Sequence, residues 1–299
     1  MSSQDEFPPR DPLLATLLDL LFDLEEHGAD IPLILGGGYG LYLKQQQVAV
    51  SSARRLFEFL PPARSTDDID VFLRTEIIAD SDRLKPLRAA LDRLGFTVIS
   101  SARNYQFARK FRLGGRDQNI KIDLLTRHPD RRRYPHLEVD ERRVKPRPSV
   151  GLHAHTTVEA AFVEEENQPL TLSGKRTNGA AFTGMVYLPQ TYPFLMMKLC
   201  ALRDQAALPE KGYGRKHALD LYTLAALLTE AEYEQTKRLS ARHGASAEAG
   251  EAGRIVAELF ASEEALGALR LRENEDFPAS AHIVDFLSVL REFFPSSPS

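Results

Sequence analysis

Two stretches of the chain place carboxylates inside segments that are predicted to be strands. In "RSTDDIDVFL" (64–73), Asp68 and Asp70 are two residues apart, so both side chains point the same way on a strand. Two such carboxylates repel each other unless a cation lies between them, and Mg²⁺ is typically held by one or two carboxylates together with substrate phosphates. The spacing therefore predicts a magnesium site, although two exposed acids on an edge strand would give the same pattern.

A third carboxylate, Asp123, interrupts the apolar stretch "NIKIDLLT" (119–126). On a strand, Lys121 and Asp123 share one face and the apolar residues around them share the other. If this strand neighbours the first one, Asp123 would complete a two-metal site of Asp68, Asp70 and Asp123. The alternative is that Asp123 forms an ion pair with Lys121 or with an arginine.

A glycine-rich turn precedes the carboxylates in the sequence. The predicted strand "IPLIL" (31–35) runs directly into "GGGYG" (36–40), which opens a predicted helix. Glycines allow a close approach of the backbone, and the first N–H groups of a helix favour an anion, so this arrangement is typical of phosphate binding. Neither the dinucleotide fingerprint nor the P-loop spacing is present, and the turn could simply join a strand to a helix.

The hydrophobic pattern predicts a mixed α/β half followed by a helical half. Helices are expected at 11–26, 39–48 and 81–94, and strands at 31–35 and 69–73 and in "FTVIS", "YQFARKF" and "NIKIDLLT". Residues 150–188 are expected to be loops with short strands. Further helices are expected at 192–207, 215–229, 231–241, 254–267 and 280–294, with "GASAEAGEAG" (244–253) as a linker. The predicted fold class is a mixed β-sheet flanked by helices in residues 1–188, followed by an α-helical domain in residues 189–299.

Composition sets broad limits on the class of protein. The chain has 299 residues, a formal net charge of −4, 43% hydrophobic residues and a single cysteine, Cys200. No apolar run is long enough for a membrane span and the N-terminus lacks a signal-peptide core, so we expect a cytoplasmic protein without a membrane partner. One segment departs from the acidic average: residues 127–147 hold eight basic residues against four acids. This segment is either a solvated connector or a rim that binds a polyanion.

The order of these motifs resembles the nucleotidyltransferase superfamily of the DNA polymerase β type, and more closely its AbiEii/AbiGii toxin-type members. That branch has a Gly-Gly turn followed by an R-x-T-x-D-[IL]-D strand, which is filled here by Arg64, Thr66, Asp68, Ile69 and Asp70. Its helical signature is met by "YPFLMMKLCALRDQ" and "GRKHALDLYTL". The resemblance covers scattered blocks of residues 30–228. The chain departs from it in a longer stretch between the glycines and Asp68, and in the three residues that separate Lys216 from Asp220.

The resemblance implies transfer of a nucleoside monophosphate from a nucleoside triphosphate to a hydroxyl group. It implies two Mg²⁺ ions, Asp123 or Asp220 as the base, and tRNA or another RNA as the acceptor, with the enzyme acting as a toxin beside a cognate antitoxin. The implied catalytic residues are Asp68, Asp70, Asp123, Lys198 and Asp220. The implied nucleotide contacts are Gly36, Gly37, Gly38, Ser65, Thr66, Lys198 and Arg203. The best residues for RNA phosphates are Arg131, Arg132 and Arg133.

Other functions remain open at this point. The acceptor could be a small molecule or a protein side chain, or the fold could bind nucleotide or RNA without catalysis. Asp220 could also be a helix-surface partner of Lys216, and Lys198 a lysine that only extends from an amphipathic helix to solvent. The pair His153 and His155 could hold a metal, although no cysteine or carboxylate ligand lies near it in the sequence.

Overall fold

The computed structural model describes residues 11–51, 53–64, 66–140, 142–277, 281 and 283–295. Its helices are α1 (Pro12–Glu26), α2 (Gly37–Val50), α3 (Thr75–Ile78), α4 (Ser81–Arg93), α5 (Thr191–Gln205), α6 (Arg215–Ala226), α7 (Glu230–His243), α8 (Ala247–Leu259), α9 (Leu266–Arg272) and α10 (Ile283–Phe293). Its strands are β1 (Ile34–Leu35), β2 (Asp68–Phe72), β3 (Thr97–Val98), β4 (Gln106–Leu113), β5 (Arg116–Arg127), β6 (Glu138–Asp140), β7 (Arg143–Lys145), β8 (Ala154–Thr157), β9 (Gln168–Lys175) and β10 (Ala181–Leu188).

The chain forms two compact units, and neither is a continuous stretch. Unit 1 consists of Met1–Gly40, Ser65–Thr157 and Asn167–Leu188. Unit 2 consists of Leu41–Arg64, Val158–Glu166 and Pro189–Ser299. The mixed sheet and the run of C-terminal helices confirm the predicted fold class. The functional division of the chain at residue 188 stays a prediction.

All the described strands of unit 1 belong to one mixed sheet with the order β6-β7-β8-β5-β2-β1-β10-β9. Strand β5 pairs in parallel with β2 at one edge, while its other edge pairs with β4 and then with β8. Apolar side chains alternate with polar ones along β2 and β5, and Ile69, Val71, Ile122 and Leu124 are at most 1% exposed. The period-2 pattern of the sequence therefore sends one face of these strands into the core and leaves the other face for the carboxylates.

Helix α1 covers part of the sheet in unit 1. It begins after Asp11, whose carboxylate accepts hydrogen bonds from the N–H groups of Leu13 at 2.9 Å and Leu14 at 3.2 Å. The helix packs on the β9–β10 hairpin, where Gly174 and Gly184 leave room for its leucine side chains. Two strands of eight residues thus occupy much of the region that was expected to hold only loops and short strands.

The core of unit 2 is helical and centres on α5 and α6, which pack on each other. The predicted linker at 244–253 is wrong, because α8 begins inside it. Ser246 caps this helix by accepting a hydrogen bond from the N–H of Ala249 at 3.1 Å. A side chain at Gly253 would lie only 2.8 Å from the carbonyl oxygen of Pro295. The small residues of this stretch therefore serve close packing of a helix and not flexibility.

No helix among the described residues combines the length and the apolar character that crossing a membrane requires.

Candidate active site

Asp70 and Asp123 lie side by side in the sheet of unit 1. Strands β2 and β5 run parallel with Asp70 opposite Asp123 and Asp68 opposite Lys121. Directly paired residues of neighbouring strands point to the same face, about 4.8 Å apart at the backbone. The structure therefore brings Asp68, Asp70 and Asp123 to one face of two adjacent strands, although 52 residues lie between Asp70 and Asp123 in the sequence.

Burial sets the chemistry of Asp123. Its Oδ2 accepts a hydrogen bond from Nε2 of Gln106 at 2.9 Å, across the β4–β5 pairing. Burial raises the pKa of Asp123 to about 6, the hydrogen bond from Gln106 opposes that rise, and the charges of Asp70 and Asp68 add to it. The raised pKa of Asp123 therefore comes chiefly from its burial, with a smaller contribution from the neighbouring carboxylates.

The carboxylates fit a divalent cation in their donor chemistry. Oδ1 of Asp123 and Oδ1 of Asp68 are buried and accept no hydrogen bond in the described part of the chain. Nζ of Lys121 lies 3.2 Å from Oδ1 of Asp68, an ion-pair distance without the geometry of a hydrogen bond. Among the described residues, no three His, Cys, Asp or Glu side chains converge closely enough to form a metal cluster. The buried Oδ1 of Asp123, which accepts no hydrogen bond from the residues described, is the kind of ligand that a hard cation uses, and a cation could replace Lys121 at Oδ1 of Asp68.

The glycine turn presses against the same carboxylates. Helix α2 starts at Gly37, whose φ of +62° lies in the left-handed region. A Cβ at this position would lie 1.6 Å from Oδ2 of Asp70, so only glycine fits. The N–H of Gly36 donates to the carbonyl oxygen of Asp70 at 3.0 Å. The phosphate contact of Gly36 stays a prediction, and this hydrogen bond does not support it, because β2 already accepts from that N–H.

Gly37 and Gly38 remain suited to bind an anion. Their N–H groups belong to the first turn of α2 and have no acceptor within the helix, whereas the N–H of Gly40 donates to the carbonyl of Gly36 at 2.7 Å. The hydroxyl of Thr66 lies against the start of β2, 3.4 Å from the N–H of Asp68, so it supports the strand. Ser65 lies outside the described residues.

Lys198 and Asp220 meet in unit 2, on helices α5 and α6. Nζ of Lys198 donates to Oδ2 of Asp220 at 2.5 Å. Arg64 completes the cluster with Nε 3.0 Å from Oδ1 and Nη2 3.2 Å from Oδ2 of the same carboxylate. Asp220 is 2% exposed and Lys198 is 5% exposed. Lys198 is therefore buried and paired, which rules out a lysine that merely extends to solvent.

The two cations decide the protonation of Asp220. Burial would raise its pKa, but the charges of Lys198 and Arg64 outweigh that effect and hold the pKa below its ordinary value. A carboxylate that is ionised and fully engaged orients its cations and is a poor proton acceptor. The i,i+4 pairing of Asp220 with Lys216 is wrong, because Asp220 faces the interior. Burial and repulsion by Arg64 and Lys198 lower the pKa of Lys216.

Arg203 lies away from this cluster. Five residues after Lys198 on a helix correspond to a turn of about 140° around the axis. Its guanidinium pairs with Asp204 at 2.7 Å and with Glu251 at 2.6 Å, and the side chain is exposed. The nucleotide contact of Arg203 stays a prediction that these pairings do not support.

Several basic side chains of residues 127–147 are ion-paired with acids of the same segment. Lys145 and Arg147 pair with Glu138, and Arg143 pairs with Asp140. Arg131, Arg132 and Arg133 lie in an exposed turn and make no ion pair with a described carboxylate, so their role with RNA stays a prediction. A metal pair of His153 and His155 is not formed. His153 uses Nδ1 on the carbonyl of Arg103 at 2.8 Å, and burial lowers its pKa.

Two partners of the predicted site residues cannot be identified from the sequence. Gln106 lies in a predicted strand and Arg64 in the R-x-T-x-D motif, and neither position predicts a contact with Asp123 or Asp220. Gln106 is the polar residue that opens β4, opposite Asp123. Arg64 lies 156 residues from Asp220, and no local pattern links the two.

Comparison with known proteins leaves the family open. No family model matches the chain, and no curated protein matches it. A nucleotidyltransferase-like protein from Paracoccidioides brasiliensis overlaps 72% of this chain and 78% of its own, with a TM-score of 0.39 and 17% identity. The antibiotic-resistance factor ANT(2'')-Ia overlaps 78% of this chain and 96% of its own, with a TM-score of 0.33 and 13% identity. Overlaps this loose assign neither a family nor an activity, so function is argued from the residues of the site.

Proposed function

We propose that the protein is a Mg²⁺-dependent nucleotidyltransferase that moves a nucleoside monophosphate from a nucleoside triphosphate to a hydroxyl group. The single observation that carries the proposal is the pairing of Asp70 with Asp123 on adjacent parallel strands, with Asp68 on the same face. The helix start at Gly37 supports it, because first-turn N–H groups that suit a phosphate lie against Asp70.

Asp68, Asp70 and Asp123 are the residues that would hold Mg²⁺. Bound there, Mg²⁺ neutralises the triphosphate and stabilises charge on the attacking and leaving oxygens. The N–H groups of Gly37 and Gly38 bind phosphate oxygens at the start of α2. These groups are fixed by the sheet and the helix before the substrate arrives, which is the source of catalytic electrostatic stabilisation.

Asp123 is the better of the two candidate bases. Asp123 lies on the face proposed to bind Mg²⁺ and the triphosphate, where the acceptor hydroxyl must arrive, whereas Asp220 is fully engaged by Lys198 and Arg64. In the proposed step, the acceptor hydroxyl gives its proton to Asp123 and its oxygen forms a bond to the α-phosphorus. The bond from that phosphorus to the bridging oxygen breaks, and pyrophosphate leaves with the electron pair. Lys198 is assigned to the triphosphate by the family resemblance alone.

The resemblance to the AbiEii/AbiGii toxin-type enzymes further supports tRNA as the acceptor and a toxin role beside an antitoxin. These two parts of the proposal rest on motif likeness: the R-x-T-x-D-I-D strand and the helices that carry Lys198 and Asp220. A cytoplasmic location follows from the same proposal.

The test is direct labelling. Purified protein is incubated with Mg²⁺ and each α-³²P-labelled nucleoside triphosphate in turn, with and without total tRNA. We expect label on the tRNA, and a loss of at least about 100-fold in the Asp68→Asn/Asp70→Asn variant. The matched control is Asp117→Asn, an exposed acid at the far end of β5, which should label like the wild type.

Each other outcome has a definite meaning. Label on the protein itself would move the acceptor to a side chain. Equal labelling by the double variant and the wild type would show that the carboxylates are not needed for transfer and would contradict the proposal. No label on any macromolecule, together with Mg²⁺-dependent nucleotide binding that the double variant has lost, would point to a small-molecule acceptor.

A further inference from the structure

An aromatic pair lies beside the carboxylates on the sheet of unit 1. The rings of Tyr105 and His155 have centroids 5.3 Å apart and planes 38° apart. Both side chains are partly exposed. Neither residue has a role in the proposed chemistry, and two packed rings that remain open to solvent can bind a third flat group.

Strand pairing fixes where this pair lies relative to Asp123. Strands β4 and β8 follow each other along the same edge of β5: Gln106 is opposite Asp123, and His155 is opposite Leu125. Leu125 is two residues beyond Asp123 and therefore on the same face, about 7 Å further along. Tyr105 directly precedes Gln106. The aromatic pair thus adjoins Asp123 on the edge of β5 away from β2.

Basic side chains surround the pair. Arg143 is opposite His155 in the β7–β8 pairing. One nitrogen of its guanidinium is bound to Asp140, while Nε is buried and donates to no acceptor among the described residues. Arg127 is on the face of Leu125, two residues further along β5, and Arg103 is exposed in the turn before Tyr105. Three arginines, one of them paired with Asp140, thus lie along the surface that extends from the carboxylates past the rings.

We infer that Tyr105 and His155 form a stacking platform for the terminal base of a single-stranded nucleic acid, which is the acceptor of the transfer reaction. The inference rests on the proposed function, because it names the acceptor class of that same site. A flat base stacks on Tyr and His rings, and its neighbouring phosphates suit Arg103, Arg127 and Arg143. A polycationic small molecule would be repelled by the same arginines.

Binding is measured without catalysis, so that the platform and the chemistry are tested separately. Fluorescence anisotropy in EDTA follows a short 5′-labelled RNA with a free 3′ end, a DNA of the same sequence, and a blunt duplex of the RNA. We expect the single strands to bind and the duplex to bind more weakly, because its terminal bases are already stacked. A preference for RNA over DNA would assign the acceptor to RNA.

Variants of the platform separate stacking from charge. Tyr105→Leu should weaken binding of the single strand by about 5- to 100-fold, and Tyr105→Phe should stay within about twofold, because it keeps the ring. Arg143→Gln should weaken binding and reduce the salt dependence by about one phosphate contact. Arg116→Gln is the matched charge control, since Arg116 is exposed at the opposite end of β5 and should bind like the wild type.

The result that overturns the platform is a Tyr105→Leu protein that melts at the wild-type temperature and binds the single strand equally well. Equal binding of the blunt duplex overturns it too. If Tyr105→Leu does not fold, His155→Val against His155→Phe gives the same comparison. Binding that needs the rings, in a protein that transfers no label, would retain the platform and reject the proposed chemistry. Transfer of label to a small molecule, by a protein that binds no single-stranded nucleic acid, would retain the proposed chemistry and reject the platform.

Discussion

At the scale of single residues, the candidate site depends on how closely Gly37 approaches Asp70. Only a residue without a side chain can occupy this position, because a Cβ would lie 1.6 Å from the Asp70 carboxylate. The left-handed φ of +62° adds a second, independent preference for glycine. The bare backbone lets the start of α2 and the carboxylate of β2 approach each other, which is the arrangement a bound phosphate and cation need.

We expect Gly37→Ala to lower the free energy of unfolding by about 2–5 kcal/mol, as measured by urea denaturation. Gly28→Ala is the matched control. Gly28 has φ +63°, but its Cβ would meet nothing within 4 Å, so this variant should lose only about 1 kcal/mol. In the Asp70→Ala background, the cost of Gly37→Ala should fall toward the value at Gly28, because only the Cβ of residue 70, at 3.0 Å, remains in the way. An undiminished cost in that background would mean that the collision lies elsewhere.

The sequence predicts what one residue does to its neighbours along the chain, and little about partners far away. The spacing of Asp68 and Asp70 correctly placed both side chains on one face, because strand alternation is a local property. The spacing does not predict that Gln106 donates a hydrogen bond to Asp123 or that Arg64 pairs with Asp220. Each of those contacts depends on how elements distant in the sequence pack together.

At the scale of elements, the register between β2 and β5 determines which side chains lie together in the candidate site. Shifting β5 by one residue against β2 would replace the pair Asp70–Asp123 by Asp70 opposite an apolar residue, and would turn Asp123 into the core. The buried residues Ile122 and Leu124 prevent this shift, because it would expose them. The core residues of β5 therefore hold the acidic face in place.

The same register predicts a dependence of stability on pH. The pKa of Asp123 is about 6 in the folded protein against an ordinary value of 3.8, so the unfolded chain releases this proton first as the pH rises. Without Mg²⁺, the contribution of Asp123 to stability should fall between about pH 4 and pH 6. The fall is at most about 3 kcal/mol, and about 1–2 kcal/mol once solvent screening of a partly exposed group is included.

Urea denaturation across this range tests the expectation, with Asp123→Asn as the variant that cannot titrate. The difference in unfolding free energy between the wild type and Asp123→Asn should change with pH in EDTA and should change less with Mg²⁺ present. A constant difference in EDTA would show that Asp123 ionises as an ordinary exposed acid, contrary to its burial.

The helices α5 and α6 are joined by a buried ion cluster in unit 2. Asp220→Asn leaves Lys198 and Arg64 without their counter-charge, so we expect a loss of about 3–5 kcal/mol in unfolding free energy. Arg203→Gln breaks an exposed ion pair on the same helix α5 and should cost no more than about 1 kcal/mol. Equal effects of the two variants in thermal and urea melts would contradict a buried cluster.

At the scale of the whole molecule, the chain builds two units from interleaved segments. Hydrophobic periodicity predicted the mixed half and the helical half, but it could not assign Leu41–Arg64 and Val158–Glu166 to the helical unit. The first of these segments is joined to the rest of unit 2 by main-chain hydrogen bonds, such as that from the N–H of Leu56 to the carbonyl oxygen of Leu228 at 2.8 Å. Such contacts have no signature in the residues themselves, because any non-proline backbone can make them.

Each unit also contains a histidine whose pKa is lowered by burial, His153 in unit 1 and His217 in unit 2. His217 has the larger shift. Burial lowers its pKa from 6.5 to about 3, Lys198 adds repulsion, and neither ring nitrogen has a hydrogen-bond partner among the described residues. The unfolded chain takes up a proton below pH 6.5 while the folded protein does not. The contribution of His217 is therefore fully present above pH 6.5 and is lost as the pH falls toward 3.

This expectation is opposite in sign to that for Asp123, so single variants must separate the two. His217→Leu cannot titrate and should gain stability relative to the wild type by up to a few kcal/mol as the pH falls from about 6.5 to 4. Urea denaturation of the wild type, His217→Leu and Asp123→Asn at matched pH values measures the contributions of His217 and of Asp123 to the free energy of unfolding. If His217→Leu kept a constant offset from the wild type over this range, His217 would take up its proton at the same pH in the folded protein as in the unfolded chain. Its charge would then have to be accommodated beside Lys198 and Lys216, which burial and repulsion forbid.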